Sequence, residues 1–378
     1  MAINEPKKVA VSFAAIDPYI QQNIPSPKEV KMTGREYVSW GEDNLYPYYL
    51  LGLYNSVPTL RSIINGNVDF ITGDDLAIVP FGTMTNNNVA KGEDIREQVR
   101  NISRDFEIYG GFALQVIRNY AGEVAEICYL DLRYLRTDED CNVFRYSEKW
   151  DKGGRRDVAV YPAFIPFTPE HWAQLTPEER DRHASSIVYV KNEHTQTYPA
   201  PIYAASIKDC EIEKSITDYH LNSLENGFVS SAIVNFNNGV PSDKDKEEIE
   251  NEFNEKFSGH SNAGRILFSW NRNKENATTI EAVKVEDFGE RYKALASHSR
   301  QQIFGAFRAI PLLFGLTSEA NTGFSTDEFE QSFKLYNRTQ IRPVQRLITE
   351  TYERILGVPG ALTIKPFSLD ADSETNVQ

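Results

Sequence analysis

The chain has 378 residues and a mass of 43.0 kDa, long enough for two to three domains and for a sizeable core without a metal or disulfide staple. Hydrophobic residues make up 40% and charged residues 25%, the balance of a globular protein, and 12% aromatics exclude a disordered chain. Forty Lys+Arg against 54 Asp+Glu give a net charge of −14, which excludes a globally basic nucleic-acid binder but not a protein that handles DNA without gripping it.

Residues 1–40 read as mixed, with Pro25 and Pro27 marking extended chain; Lys7 and Lys8 precede no apolar core, so no signal peptide is expected. Over 45–72 the apolar positions Leu50, Leu53, Leu60, Ile63, Ile64 and Val68 fall at helical spacing, and Pro58 starts a second helix. Residues 81–94 are turn-rich, and a helix is predicted near 92–108. Phe112–Arg118 and Val124–Leu130 then alternate around Asn119–Gly122, which predicts a hairpin. Further strands are expected near Val143–Arg145, Val158–Phe164 and Ile187–Lys191, with a short helix over 168–182. The first half therefore reads as an α+β domain with an antiparallel sheet.

The second half changes character. A proline-stiffened segment, Tyr198–Tyr203, leads into a long helix over 204–226, stopped by Asn226 and Gly227. Phe228–Phe236, Arg265–Trp270 and Thr279–Lys284 read as strands, and Ser242 caps an acidic helix over 242–257. A second long helix is predicted over 286–308, a Gly/Asn/Ser/Thr loop over 314–326, and a final helix over 326–356. No repeat is found.

No catalytic constellation is present: there is no GxGxxG, GxxxxGK[ST], HExxH or GxSxG, and the six histidines are scattered. Asp243–Asp245 resembles the opening of a calcium loop but fails at Glu248, where glycine is needed, and at Asn254, where a bidentate Glu is needed. The three cysteines, Cys128, Cys141 and Cys210, form no CxxC and read as reduced thiols. No stretch reaches the ~20 apolar residues that span a bilayer. Neither a catalytic residue, a cofactor nor a metal is expected, and no membrane partner.

The order of segments resembles the phage portal (head-to-tail connector) family, in the compact type of long-tailed phages. Leu45–Leu50, the helix to Gly73, Tyr109–Arg118 and Gly122–Arg136 resemble its N-terminal wing; Tyr198–Ala205 resembles the lead into its first stem helix. Leu224–Val229 and Ser261–Leu267 resemble its clip, Ile303–Gly315 the segment after its second stem helix, and Phe333–Leu347 the long helix after its tunnel loop. The resemblance implies an α+β portal-type fold: a wing at 1–200, a first stem helix at 201–227, a clip at 228–285, a second stem helix at 286–309, a tunnel-loop region at 310–326, and a C-terminal wing helix with a short tail at 327–378, the crown absent or minimal.

It also implies a non-enzymatic ring, usually of twelve copies, at one capsid vertex of the virion, assembled in the host cytoplasm. Double-stranded DNA is packaged through it and ejected from it; the other partners are the large terminase subunit, the major capsid protein or scaffold, and a head-completion adaptor. Twelve −14 subunits would carry roughly −170 charges, which repel the phosphate backbone and favour sliding over gripping. Residues expected to meet DNA are Lys208, Lys214, Arg291, Lys293 and Arg300 on the stem helices, with solvated or subunit-to-subunit charge as the competing reading, and Asn321, Thr322 and Gly323 in the loop, with a plain connector loop as the competing reading. Docking of terminase and then adaptor is expected on Asp243, Glu247, Glu248 and Glu250, with clip-to-clip packing as the alternative. Another virion connector or an uncharacterised soluble enzyme are the other classes left open.

Overall fold

The computed structural model describes residues 25–31, 36–82, 88–90, 93–150, 158–192, 196–225, 232–236, 266–270, 288–315 and 326–367. The longer helices are α1 (Tyr46–Ser56), α2 (Pro58–Thr72), α3 (Ile95–Tyr109), α4 (Ile207–Glu225), α5 (Phe288–Ala306), α6 (Thr326–Tyr336) and α7 (Arg342–Leu356). The chain divides into two compact units, one of Met1–Gly52, Leu76–Ala200 and Ile348–Ile364, the other of Leu53–Asp75, Pro201–Leu347 and Lys365–Gln378.

The first unit is built on the predicted hairpin. Strands β1 (Gly111–Arg118) and β2 (Val124–Leu130) pair antiparallel, and β3 (Ser185–Lys191) adds to the other edge of β1 in full antiparallel register, Ser185 opposite Ile117 through Lys191 opposite Gly111. Phe112, Leu114 and Val116 on one face of the central strand and Ala113 on the other are all buried, and α3, with Ile95, Val99, Ile102 and Phe106 buried, packs against this strand. The hairpin turn needs a glycine: Gly122 has φ +87°, and a Cβ there would lie 2.3 Å from Cγ of Trp172. Trp172 Nε1 also donates to the Tyr120 carbonyl at 3.1 Å, pinning the turn.

Beside that sheet, Leu135–Thr137, Val143–Tyr146 and Ala159–Pro162 form a second antiparallel sheet. At its edge Arg136 is fully buried without a carboxylate partner among its bonds. Its guanidinium donates to Asn44 Oδ1 (2.6 Å), the Asn44 carbonyl (2.6 Å) and the carbonyls of Arg133 (2.9 Å) and Leu135 (2.7 Å), and it lies near the faces of Trp40 and Trp150. Asn44 reaches this position through a left-handed backbone, φ +67°. Burial lowers the pKa of Arg136, a cost the four hydrogen bonds offset.

The second unit holds α2, the helix pair α4–α5, and α6. Buried Leu60, Ile63, Ile64, Asn67, Val68 and Ile71 give α2 one continuous inner stripe at i, i+3, i+4, i+7 spacing. Strands β4 (Ala232–Phe236) and β5 (Ile266–Trp270) pair in parallel, so their connection is a crossover. The predicted acidic helix 242–257 and strand 279–284 lie outside the described residues.

Four expectations need correction. The helix foreseen over 168–182 is two, Pro169–Gln174 and Pro177–His183, because Thr176 and Glu179 form a capping box that starts a new helix behind Leu175. The first long helix begins as a 3₁₀ turn, Ala204–Ser206, and is α-helical only from Ile207. The final helix is interrupted by a π turn at Asn337–Ile341, where the Arg342 N–H bonds to the Asn337 carbonyl five residues back. Pro343 is the physical reason: it has no N–H to give to the Thr339 carbonyl, and its ring crowds that carbonyl. Strands Asp75–Ile78 and Leu362–Lys365, which pair with each other, are absent from the sequence reading altogether.

Candidate functional site

The helix pair is the element on which sequence reasoning placed most of its candidates. Three contacts fix its geometry: Tyr203 stacks on Phe307 (5.4 Å), Ser206 Oγ donates to the Gln302 carbonyl (3.1 Å), and Tyr219 stacks on Tyr292 (5.1 Å). As the number rises along α4 it falls along α5, so the helices run antiparallel, with a seam through Ser206, Cys210 and Glu213 on one side and Tyr292, Ser299 and Ile303 on the other. The base of the seam is apolar: Ile207, Cys210, Ile303, Phe304 and Phe307 are buried. Burial and then the Glu213 carboxylate push the Cys210 thiol up to about 12, so it stays protonated and packs as a small apolar group. Toward the far end Tyr219, Leu221 and Leu295 are exposed.

The charged candidates lie off this seam. Lys208 is exposed, and Lys214 is half-buried with its Nζ 4.0 Å from Glu211, a loose i,i+3 pair. Lys293 and Arg300 are both exposed and, seven residues apart, share one face of α5. Lys208 and Lys214, six apart, do not share a face of α4. Arg291 lies on α5 with its side chain outside the described residues. Asn321, Thr322, Gly323, Asp243, Glu247, Glu248 and Glu250 also lie outside them.

The two ends of the 316–325 segment, by contrast, are well defined. Helix α5 stops in a Schellman motif, with Ala309 N–H to the Phe304 carbonyl (2.9 Å) and Arg308 N–H to the Gly305 carbonyl (3.1 Å). The left-handed position is filled by Arg308 at φ +50° rather than by glycine. A short 3₁₀ turn, Pro311–Phe314, then ends at Gly315, φ +75°. Phe314 joins an aromatic cluster with Phe70 (6.2 Å), Phe304 (6.0 Å) and Tyr336 (5.8 Å), and Phe333 packs on Phe70 at 5.6 Å. Both roots of the segment thus rest on α2, which Gln345 ties down through its bonds to the Phe70 and Ile71 carbonyls.

Sequence reasoning missed this cluster. The only local signal was Gly66, a glycine inside an otherwise regular helical pattern. It leaves room for the Phe314 ring, whose Cε1 would lie 2.6 Å from a Cβ at that position. Among the described residues no group of His, Cys, Asp and Glu is placed to hold a metal, and no helix is long and apolar enough to cross a membrane.

The architecture is an α+β fold in which an antiparallel helix pair carries a small parallel strand pair between its two helices. No family model matches the sequence, and no curated protein does. Solved structures do match. A chain from the virion of a native gene transfer agent particle aligns over 92% of this chain and 87% of its own, at 14% identity and a TM-score of 0.53. Chains from the neck of that particle, one empty and reconstructed with C6 symmetry, one native with C12 symmetry, align over the same 92% at TM-scores of 0.52 and 0.50 and 14% and 15% identity. An HK97-family phage portal protein from Corynebacterium diphtheriae aligns over 84% of this chain and 93% of its own at 11% identity and a TM-score of 0.46. The chain therefore shares its fold with a component of a virion neck, and the α+β fold expected from the sequence is the fold observed.

Proposed function

We propose that this chain is a portal-type connector subunit, forming a ring at one vertex of a capsid through which double-stranded DNA enters and leaves. The observation that supports this most strongly is the fold likeness over 92% of the chain to chains of a neck, one of them reconstructed with C12 symmetry. Twelve copies is the proposed number here. The role is structural, not enzymatic, in keeping with neighbours that are particle components. The α4–α5 pair serves as the stem, β4 and β5 belong to the clip, and the 310–326 region carries the loop toward the channel, with Asn321, Thr322 and Gly323 facing DNA. Lys208, Lys214, Arg291, Lys293 and Arg300 are the residues available to phosphates, in contacts that salt weakens. Asp243, Glu247, Glu248 and Glu250 form the docking face for terminase and then an adaptor.

Light scattering and negative-stain imaging test the reading. A particle of roughly half a megadalton with a central hole is expected, the mass of a closed ring of about twelve copies. A 43.0 kDa monomer, both alone and when co-expressed with its capsid and scaffold proteins, would overturn it. Given a ring, Glu247→Lys with Glu248→Lys should weaken terminase docking and leave the ring intact; loss of the ring instead would refute the docking assignment.

A further inference from the structure

Within the first unit the β1–β2 turn and the two short helices bound an open cleft of about 590 Å³. It is lined by Tyr120 of the turn, Trp172 of the first short helix, and Pro177, Glu178 and Asp181 of the second. The turn is held from several sides. Asn119 N–H donates to the Glu123 carbonyl and Gly122 N–H to the Asn119 carbonyl, both at 2.9 Å, and the Tyr120 carbonyl accepts from Trp172 Nε1. Yet the Tyr120 side chain is fully exposed, whereas Trp172 is buried. An aromatic held out on a fixed backbone offers contact area at little ordering cost, which is how binding hot spots are built.

The charges of the cleft are not equivalent. Arg118 is buried: Nη1 donates to the Gly122 carbonyl (3.1 Å), Nη2 to the Ile165 carbonyl (2.7 Å), and the guanidinium lies 4.9 Å from the centre of the Phe164 ring. Arg180 is half-buried and gives Nε to the Trp172 carbonyl (3.0 Å) and Nη2 to the Ala173 carbonyl (2.5 Å). Both arginines thus spend their donors on backbone oxygens. Glu178 and Asp181 are exposed and, three residues apart, neighbours on one helix face. Neither carboxylate is paired with a cation among the described residues. The cleft therefore offers solvent two carboxylates and one tyrosine ring.

We infer that this cleft is a docking site for a basic segment of a partner protein, an extended stretch carrying Lys or Arg. Its cation meets the Glu178 and Asp181 carboxylates and the Tyr120 face, a pairing worth more when water is excluded, and its apolar stem or a proline packs on Pro177. Charge complementarity selects this occupant over an acidic one, because the arginines that would receive an acid are already committed. The cleft is also open and wider than one side chain fills, which suits a length of chain. The inference stands on the first unit alone and does not depend on the portal reading.

The test is fluorescence anisotropy of a labelled peptide, Gly-Pro-Arg-Pro-Lys-Gly, titrated with the full chain, beside an acidic control, Gly-Pro-Glu-Pro-Glu-Gly. The basic peptide is expected to bind and the acidic one not to. Tyr120→Ala, and Glu178→Lys with Asp181→Lys, should each weaken binding about tenfold or more. Glu42→Lys with Glu148→Lys makes the same charge change at two exposed positions away from the cleft and should leave binding unchanged. No binding of the basic peptide, equal binding of the acidic one, or an equal loss in the Glu42/Glu148 variant overturns the inference. Self-association abolished by Tyr120→Ala, with no peptide bound, assigns the cleft to a second copy of this chain and overturns it too.

Discussion

Gly66→Ala puts the role of the Phe314 root to a quantitative test. Glycine inside a helix is about 1 kcal/mol less favourable than alanine, so on propensity alone the substitution stabilises α2. The structure predicts the opposite sign. The new methyl would lie 2.6 Å from Cε1 and 2.9 Å from Cδ1 of Phe314, against about 3.5–4.0 Å for an ordinary carbon contact, so the ring must retreat by roughly 1 Å. It cannot do so without loosening its edge-to-face contacts with Phe70, Phe304 and Tyr336, each worth about 0.5–1.5 kcal/mol. Losing all three would cost about 1.5–4.5 kcal/mol against the 1 gained, a net destabilisation of about 0.5–3.5 kcal/mol. The assay is urea unfolding of the wild type and Gly66→Ala, repeated with Phe314→Ala in both. Without the Phe314 ring, Gly66→Ala should become stabilising by about 1 kcal/mol. The same sign in both backgrounds would refute the reasoning.

Arg308→Gly should stabilise the end of α5 by about 0.5–1 kcal/mol, read as a raised urea midpoint, because glycine takes the left-handed Schellman position without a Cβ penalty. Arg136→Lys should cost about 2–3 kcal/mol in the same measurement, since an ammonium cannot reproduce the planar fork that reaches four oxygens. Asp105 carries a pH prediction. Burial, then the neighbouring Asp131 carboxylate, raise its pKa well above the ordinary value, outweighing the hydrogen bonds from Leu132 N–H and Tyr129 OH. Its folded pKa is therefore above its unfolded one, so its contribution is fully present below the ordinary carboxylate pKa of about 3.9 and is lost as pH rises through the folded value. Asp105→Asn, which keeps an acceptor and removes the charge, should melt higher than wild type at pH 8 and match it near pH 4; equal melting at both would refute the burial argument.

Short-range information was legible in the sequence. Apolar spacing located α1 and α2, the helices expected over 92–108, 204–226 and 286–308 match α3, α4 and α5 to within a few residues, Pro58 marked a helix start, and Asn119–Gly122 marked the hairpin that seeds the first sheet. These features rest on contacts within one or two turns of chain, where residue type and spacing carry the information. The charged candidates were readable only as residue types. Lys293 and Arg300 share a helix face, which spacing alone gives, whereas the half-burial of Lys214 depends on packing no local pattern reports.

Composition and local pattern carry the class of fold, the order of its main helices and an acidic charge balance unlike that of a globally basic DNA binder. What only the tertiary structure decided depends on residues far apart in the chain. Asp75–Ile78 is a strand because Leu362–Lys365 pairs with it, a partnership that includes a bond across 286 residues from Thr363 to the Ala77 carbonyl. Gly66 matters because Phe314 lies on it, and Glu213 is held by Thr59 of α2, 154 residues away in the chain. Local propensity cannot encode such meetings, since the free energy that fixes them is gained only when distant segments are buried together.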